Sequence, residues 1–307
     1  MAARDEVVDA AYAAGWSVVR GMPERLARLT FDQIAVAVAA RRGPSVRRLE
    51  ANLARVRPEA NRLELRLLTR DGIRTYMRYW CEIFQLPNLD VEEAIARMDA
   101  EGEQRIHDAM AAGNGMILSL PHMGNWDHAG AWLAGIGYPF TTVAERLKPE
   151  SLFERFVEFR ESLGMEVIPL TGGAQPPFAI LAERLRAGGA LCLLADRDLS
   201  GRGIEVDFFG SPAKMAAGPA ALAVDTGAAL LPTTCWYPSR MRWGVVIHEP
   251  VAVPTEGDRE SKIQAMTQEV ARAFERAISA NPQDWHMLQR LWTADLDPSK
   301  APTPADA

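Results

Sequence analysis

The residues of this chain best suited to chemistry lie in the segment Leu118–Asp127, which contains a histidine and an aspartate at a short spacing. His122 and Asp127 are separated by four residues and follow an apolar run. The pattern predicts a strand that ends near Pro121, a turn that carries His122, and a helix that begins two or three residues later. Asp127 then falls in the first helical turn, where the helix dipole favours a negative charge.

This spacing predicts a general base that works without a nucleophile from the protein. A carboxylate beside an imidazole fixes which ring nitrogen carries the proton and raises the basicity of the other nitrogen. We therefore expect His122 to fold back onto Asp127, which orients it. The base would then take a proton from a hydroxyl group of a substrate.

A second acidic position, Asp196, follows the apolar strand predicted at 190–195. Ligand sites in open α/β sheets gather at the carboxyl ends of the strands. His122 and Asp196 both occupy such ends, so we expect them to converge. The alternative is a loop carboxylate that pairs with its neighbour Arg197.

The chain resembles the glycerolipid acyltransferase superfamily, and specifically the bacterial branch that contains the lipid A acyltransferases. The resemblance begins with the His-X4-Asp pattern of His122 and Asp127, and it extends from about Tyr12 to Leu296. Later segments, in the same order, resemble the mycobacterial members of this branch that acylate phosphatidylinositol mannosides: Thr142–Ser151, Phe159–Gly164, Val206–Gly210 and Asp284–Gln289.

This resemblance implies an O-acyltransferase that depends on acyl-coenzyme A. It would move a fatty acyl chain to a mannose 6-hydroxyl of a phosphatidylinositol mannoside. Acyl-coenzyme A is then a co-substrate, and no metal or other cofactor is expected, since a thioester is already activated. One alternative is the same chemistry on a lysophospholipid, glycerol phosphate or lipid A-type acceptor. Another is a lipid-binding protein without catalytic activity.

The resemblance also implies roles for residues that bind or react with the acyl donor. Asp196 lies where the related enzymes carry an acidic residue of the catalytic charge network, commonly a glutamate. His122 itself is expected to contact acyl-coenzyme A. Arg160 and Arg202 are predicted to clamp its phosphates, because guanidinium binds phosphate in a bidentate manner. Asp225 matches an acidic position that contacts the ligand.

Two further charged residues follow the strand predicted at 139–144. Glu145 and Arg146 lie in a segment similar to the mannoside acyltransferases. They are predicted to contact the acceptor. The alternative is that they form an ion pair with a structural role.

The net charge of −6 is unevenly distributed along the chain. Arg41–Arg78 holds eleven arginines against four acidic residues, a local excess of +7, so the remainder is at −13. Ahead of this segment lie two apolar helical stretches, Val7–Val19 and Leu26–Ala40, each shorter than the ~20 apolar residues that span a bilayer. Such helices beside an arginine cluster predict peripheral attachment to the anionic cytoplasmic face of the cell membrane. The alternative is a solvated basic face over a core.

Several function classes lack support in the sequence. Nucleic acid is not predicted as a partner, because no nucleic-acid motif accompanies the basic segment. There is no G-x-S-x-G motif of serine hydrolases and no glycine-rich nucleotide motif. The three cysteines are far apart, and neither their spacing nor that of the histidines predicts a metal site.

Alternating strand and helix patterns after residue 113 predict an α/β fold with a mostly parallel central sheet flanked by helices. Residues 4–112 are predicted to be almost entirely helical. We expect a membrane-facing helical region at 1–112, continuous with an α/β core at 113–296 and followed by a disordered tail at 297–307. The predicted strands are 115–120, 139–144, 166–169, 190–195, 204–209, 229–235 and 243–248. The predicted helices are 124–135, 150–163, 175–187, 216–226 and 258–280.

Overall fold

The structure, a computed structural model, has the predicted α/β architecture. A seven-stranded, mostly parallel sheet is flanked by helices, and a helical region precedes it. The described residues are 15–88, 90–145, 150–172, 175–198 and 201–296. The predicted tail, the first apolar stretch up to residue 14 and Arg146 lie outside them.

A run of helices comes first in the described chain, and strands mixed with helices follow it. The helices are α1 (15–21), α2 (Glu24–Arg41), α3 (Pro44–Val56), α4 (Arg62–Gln85), α5 (Val91–Ala96), α6 (Gln104–Ala111), α7 (Trp126–Gly135), α8 (Glu150–Ser162), α9 (Pro177–Arg186), α10 (Gly218–Thr226) and α11 (Arg259–Ala280). The strands are β1 (Met98–Glu101), β2 (Met116–Leu120), β3 (Phe140–Ala144), β4 (Met165–Pro169), β5 (Ala190–Leu194), β6 (Ile204–Phe208), β7 (Ser211–Met215), β8 (Ala229–Ser239) and β9 (Arg242–Ile247).

The strand order of the main sheet is β1-β9-β8-β2-β5-β3-β4. The central strand β2 runs parallel to both of its neighbours, β5 and β8, whereas β9 is antiparallel to β8. Leu120 at the end of β2 lies opposite Leu194 at the end of β5. Because these two strands end in register, the residues that follow them emerge side by side.

One strand of the sequence-based fold prediction lies outside the sheet, and β1 was not predicted. The strand predicted at 204–209 does not join the sheet, since β6 pairs with β7 in a separate antiparallel hairpin. Phe209 and Gly210 reverse the chain there, both with positive φ, as short hairpin turns require. The segment predicted to be almost entirely helical contains β1, which extends the sheet beside β9. Its four residues are too few to show a strand pattern.

The two faces of the sheet are both covered, which explains the nearly continuous apolar runs of its strands. Ile117 packs into a core formed with α9, α10 and α11, together with the β6–β7 hairpin. Its neighbours Met116 and Leu118 point to the opposite face, where they pack with α6 and α7. All five residues of β2 are buried.

Helix α4 connects the helical region to the sheet. Asn61 caps its start, accepting hydrogen bonds from the backbone of Leu63 and Glu64, while the Glu64 carboxylate accepts from the Asn61 backbone. Its middle packs on α2 and α3, and its last turns pack on α7 through Tyr79 and Ile83. Helix α4 therefore contacts both the helical region and the α/β core.

The carboxylate of Glu82 is the main polar connection made by α4. It is 4% exposed and accepts hydrogen bonds from Arg78 Nε (2.7 Å), Asn125 Nδ2 (2.8 Å) and Trp243 Nε1 (2.8 Å). Arg28 of α2 lies 3.1 Å away. Burial alone would raise the pKa of Glu82, but the surrounding positive charges, Arg78 first, hold it below its ordinary value. One buried charge thus joins α2, α4, the start of α7 and β9.

We expect Glu82→Ala to lower the free energy of unfolding by roughly 3–5 kcal/mol, because it leaves two partly buried arginines and the buried donors of Asn125 and Trp243 without their carboxylate. Urea denaturation of the purified protein measures this. Glu249→Ala is the matched control, since Glu249 is 78% exposed and pairs with Arg105 at the surface. Similar midpoints for the two variants would contradict the role assigned to Glu82.

Candidate active site

The predicted turn after β2 brings His122 to the carboxyl edge of the sheet. Gly124 follows with φ +62°, and a Cβ at this position would lie 2.6 Å from the backbone carbonyl carbon of Cys235. Only glycine fits such a close approach without a backbone shift. Asn125 then caps α7 by accepting a hydrogen bond from the backbone of His128. The loop between β2 and α7 therefore packs closely against β8.

The carboxylate of Asp196 orients His122. Its Oδ1 lies 2.6 Å from His122 Nδ1, and its Oδ2 accepts from the backbone N–H of His122 at 2.9 Å. The indole of Trp285 donates to Oδ2 at 3.0 Å. Asp196 is fully buried. The predicted convergence of His122 and Asp196 is thus present, and Asp196 contacts His122 rather than Arg197.

These contacts define the protonation state of the pair. Burial would raise the pKa of Asp196. The charge interaction with His122 and the three hydrogen bonds outweigh burial, and they hold this pKa below its ordinary value. An ionised carboxylate can only accept hydrogen bonds, so His122 Nδ1 carries the proton. The other ring nitrogen, Nε2, is left with its lone pair, as a general base requires.

Asp127 does not make the predicted contact with His122. Its carboxylate accepts hydrogen bonds from Tyr79 Oη at 2.9 Å and Arg160 Nε at 2.8 Å, and it is 3% exposed. As expected, Asp127 lies in the first turn of α7, where the helix dipole favours a negative charge. From there its side chain faces α4 and α8, whereas the His122 ring faces β5. The expected orientation of His122 by Asp127 is therefore wrong, and Asp196 has that position.

Arg160, predicted to bind phosphate, is partly buried and bonded to Asp127. Its side chain is 18% exposed and forms its ion pair with Asp127. Burial would lower the pKa of Arg160, but Asp127 raises it above the ordinary value. Asp127 occupies the Nε and Nη2 edge of the guanidinium, and the charged pair lies at the first turn of α7. The phosphate contact of Arg160 stays a prediction.

A narrow apolar pocket begins beside His122. Trp126 lines it, and its ring meets the His122 ring edge-on at a centroid distance of 5.6 Å. The pocket continues between α7 and the sheet, where its walls are mainly aliphatic and aromatic: Leu118, Leu120, Trp132, Leu133, Phe140 and Met165. Asp127 and Arg160 are its charged lining residues. The apolar walls of the pocket suit a hydrocarbon group, and Trp126 connects it to the His122 ring.

The other predicted binding residues lie at different distances from this centre. Glu145 follows β3 at the same edge, and its carboxylate lies 3.5 Å from Arg197, the residue after Asp196. Arg202 is exposed in the segment before β6. Asp225 lies at the opposite edge of the sheet, shortly before β8 begins beside the start of β2, and pairs with Arg259 at 2.7 Å. The prediction that Asp225 joins the substrate site is not supported, because a full strand length separates it from His122.

The chain matches the family model of bacterial lipid A biosynthesis acyltransferases over residues 3–294. It belongs to that family. A phosphatidylinositol mannoside acyltransferase from Mycobacterium tuberculosis is 49% identical over 294 residues, which cover 95% of this chain and 90% of that protein. The enzyme of the same name from Mycolicibacterium smegmatis is 48% identical over 293 residues, covering 95% and 93%.

Sequence reasoning missed three residues that build the site of this family member. Tyr79 and Trp285 donate to the two buried carboxylates of the site, and Asn125 connects the cap of α7 to Glu82. Trp285 lies in a segment that resembles the known enzymes, and Asn125 has the residue type of a helix cap. Tyr79 lies in a helix, and its spacing there gives no sign of its bond to Asp127.

The segment that supplies Trp285 also holds two buried titratable groups. His286 donates its backbone N–H to the carbonyl of His122 at 2.7 Å, and burial, with the nearby His122, lowers the pKa of its ring to about 3. Asp284 accepts from the backbone of Tyr237 at 3.0 Å, but burial raises its pKa to about 7. Both side chains are therefore held in place without a permanent charge.

Asp284 gives a testable pH dependence of stability. Its folded-state pKa lies above the ordinary value of 3.8, so between pH 3.8 and about 7 the folded protein binds more protons than the unfolded chain. Stability contributed by this group falls as pH rises through that window, by at most about 4 kcal/mol. Asp284→Asn should gain stability relative to the parent protein from pH 4 to 7. Denaturant titrations at several pH values measure the difference, and parallel curves would disprove it.

Proposed function

We propose that this protein transfers a fatty acyl chain from acyl-coenzyme A to a mannose 6-hydroxyl of phosphatidylinositol mannoside, at the cytoplasmic face of the membrane. The observation that carries the proposal is the His122–Asp196 pair beside an apolar pocket. It occurs in a chain about half identical to enzymes named for this acceptor. The donor, the hydroxyl position and the location are inferences from the resemblance and from the surface of the protein.

In the proposed reaction His122 is the general base. Its Nε2 removes the proton of the mannose hydroxyl while the oxygen attacks the thioester carbonyl. The C–S bond breaks, an ester forms, and the coenzyme A thiolate leaves and recovers the proton from the imidazolium. Asp196 stabilises that imidazolium, because its carboxylate stays ionised and is already bonded to Nδ1.

The apolar pocket explains how the donor would be oriented. If the acyl chain enters beside Trp126, its thioester end remains at the mouth of the pocket, next to His122. The exposed side of the sheet edge, with Glu145 and Arg197, is then left for the headgroup of the acceptor. This division keeps hydrocarbon in an apolar site and the sugar in a polar one.

We expect His122→Ala to lower the rate of transfer by about 10²–10⁴-fold, the usual cost of losing a general base. Asp196→Asn should also be strongly impaired, since an amide cannot stabilise imidazolium. Asp225→Asn, on the far edge of the sheet, is the matched carboxylate control and should keep the parental rate. Coenzyme A release is measured with phosphatidylinositol mannoside, lysophospholipid, glycerol phosphate and a lipid A precursor. If folded His122→Ala transferred the acyl chain at the parental rate, the mechanism would be wrong. If another acceptor were preferred, it would replace phosphatidylinositol mannoside as the assigned substrate.

The helical region provides a surface suited to a membrane. None of the helices in the described ranges is long and apolar enough to cross a bilayer. Large apolar side chains are nevertheless exposed on α1, on α2 and at the start of α4: Val18, Leu26, Leu29, Val36, Leu63 and Leu67. On α4 they alternate with the exposed arginines Arg62 and Arg66. Exposed leucines beside arginines suit peripheral attachment to anionic lipid.

The basic segment is only partly available for this role. Arg48 and Arg55 both form ion pairs with Asp295, and Arg78 pairs with the buried Glu82. The local charge excess of +7 counted along the sequence therefore does not lie on a single surface of the protein. The membrane proposal therefore rests on the exposed arginines at the start of α4 and on the apolar residues among them.

We expect the protein to float with vesicles that contain phosphatidylinositol and to release as salt increases, since salt screens exposed charges. Replacing Leu63 and Leu67 by serine should reduce flotation strongly, because both side chains are exposed, 66% and 43%. Val253→Ser is the control, as Val253 is 41% exposed outside the helical region. Equal flotation of all three proteins would show that α4 is not the contact surface.

A further inference from the structure

We propose that Tyr79 is a positioning residue of the active site, which acts on His122 through Trp126 and Asp127. Tyr79 lies on α4, outside the His-X4-Asp segment and far before it along the chain. Its kinetic consequences rest on the proposed function, whereas its effect on the geometry of His122 does not.

The first contact is a hydrogen bond. Tyr79 Oη donates to Asp127 Oδ2 at 2.9 Å, and both residues are almost fully buried. Burial, followed by the charge of Asp127, raises the pKa of Tyr79 well above its ordinary value, so its hydroxyl remains a donor. Arg160 supplies the remaining donors to Asp127. Removal of the hydroxyl alone leaves one carboxylate oxygen with a weaker contact of 3.3 Å.

The second contact is between rings. The Tyr79 ring packs on the Trp126 ring at a centroid distance of 4.1 Å and an angle of 32°. Trp126 in turn meets the His122 ring edge-on. Tyr79 therefore supports, from behind, the aromatic wall against which the base lies.

The two contacts act on consecutive residues of the first turn of α7. A hydrogen bond at Asp127 and a ring contact at Trp126 together restrict both the shift and the rotation of that turn. Asp196 holds His122 from the Nδ1 side, and Trp126 limits the ring on another side. A shift of the turn would leave the Asp196 bond in place but alter where Nε2 points.

Tyr79 does not line the apolar pocket, whereas Trp126, Asp127 and Arg160 do. It is 4% exposed and lies behind them. A residue in this position has no direct contact with a chain bound in the pocket. We therefore expect it to influence kcat rather than the KM for acyl-coenzyme A.

Two variants separate the contacts, and a third is the control. Tyr79→Phe removes the hydroxyl and keeps the ring, whereas Tyr79→Leu removes both. Tyr138→Phe removes a hydroxyl of the same kind, bonded to His107 at 2.6 Å, shortly before β3 begins and away from His122. We expect kcat to fall about 10-fold in Tyr79→Phe and about 100-fold in Tyr79→Leu at constant KM, since small misplacements of a base have effects of this order. Tyr138→Phe should keep the parental kcat.

A spectroscopic measurement tests the same proposal without turnover. The chain has five histidines, so selective isotope labelling of histidine gives a small set of ring signals. The His122 signal, assigned with His122→Ala, should move in both Tyr79 variants because its position relative to the Trp126 ring changes. In Tyr138→Phe the His107 signal should move instead, and the His122 signal should stay.

The outcomes decide between the alternatives. An unmoved His122 signal in the Tyr79 variants, an unchanged kcat, or a rise in KM alone would overturn the proposal. If Tyr79→Leu does not fold, Tyr79→Phe decides by the same criteria. If the parent protein releases no coenzyme A with any acceptor, the proposed function fails, and the histidine spectra alone determine whether Tyr79 positions His122.

Discussion

The site depends on one buried charge, the carboxylate of Asp196. A buried carboxylate is costly unless hydrogen bonds replace its water. In this protein three donors do so, two from His122 and one from Trp285. These contacts join the ends of β2 and β5 to the segment near the end of the described chain. The same bonds that make the charge tolerable define the imidazole tautomer, so the stability of this edge and the chemistry of His122 have a common origin.

Two more buried carboxylates connect the helical region to that edge. Asp127 and Glu82 lie on opposite sides of the contact between α4 and α7, and each is satisfied by donors from the other helix and from a third element. Because each buried charge depends on donors from other elements, these elements are constrained together. The helices that carry the exposed apolar residues are thus held in a fixed position relative to the turn that carries His122.

The arginines of the basic segment illustrate how charge counted along a sequence differs from charge on a surface. Arg55 pairs with Asp295 and lies 4.4 Å from the Trp292 ring centroid, and Arg78 lies 3.8 Å from that of Tyr237. Both contacts stabilise the packing of the helical region on distant segments. The arginines at the start of α4 are instead exposed. A membrane role therefore belongs to a small part of the segment rather than to its total excess.

The sequence alone determined the α/β class, most elements of the sheet and the approach of Asp196 to His122. These follow from local periodicity and from the rule that parallel strands end at a common edge. The family also follows from short segments that can be compared directly. Only the tertiary structure decided that Asp196 contacts His122 while Asp127 contacts Tyr79 and Arg160. Asp127 lies five residues from His122 along the chain, whereas Asp196, which orients His122, lies 74 residues away. Side-chain direction on a helix, and the donors that reach a buried charge, are set by packing between distant elements, which spacing along the chain does not encode.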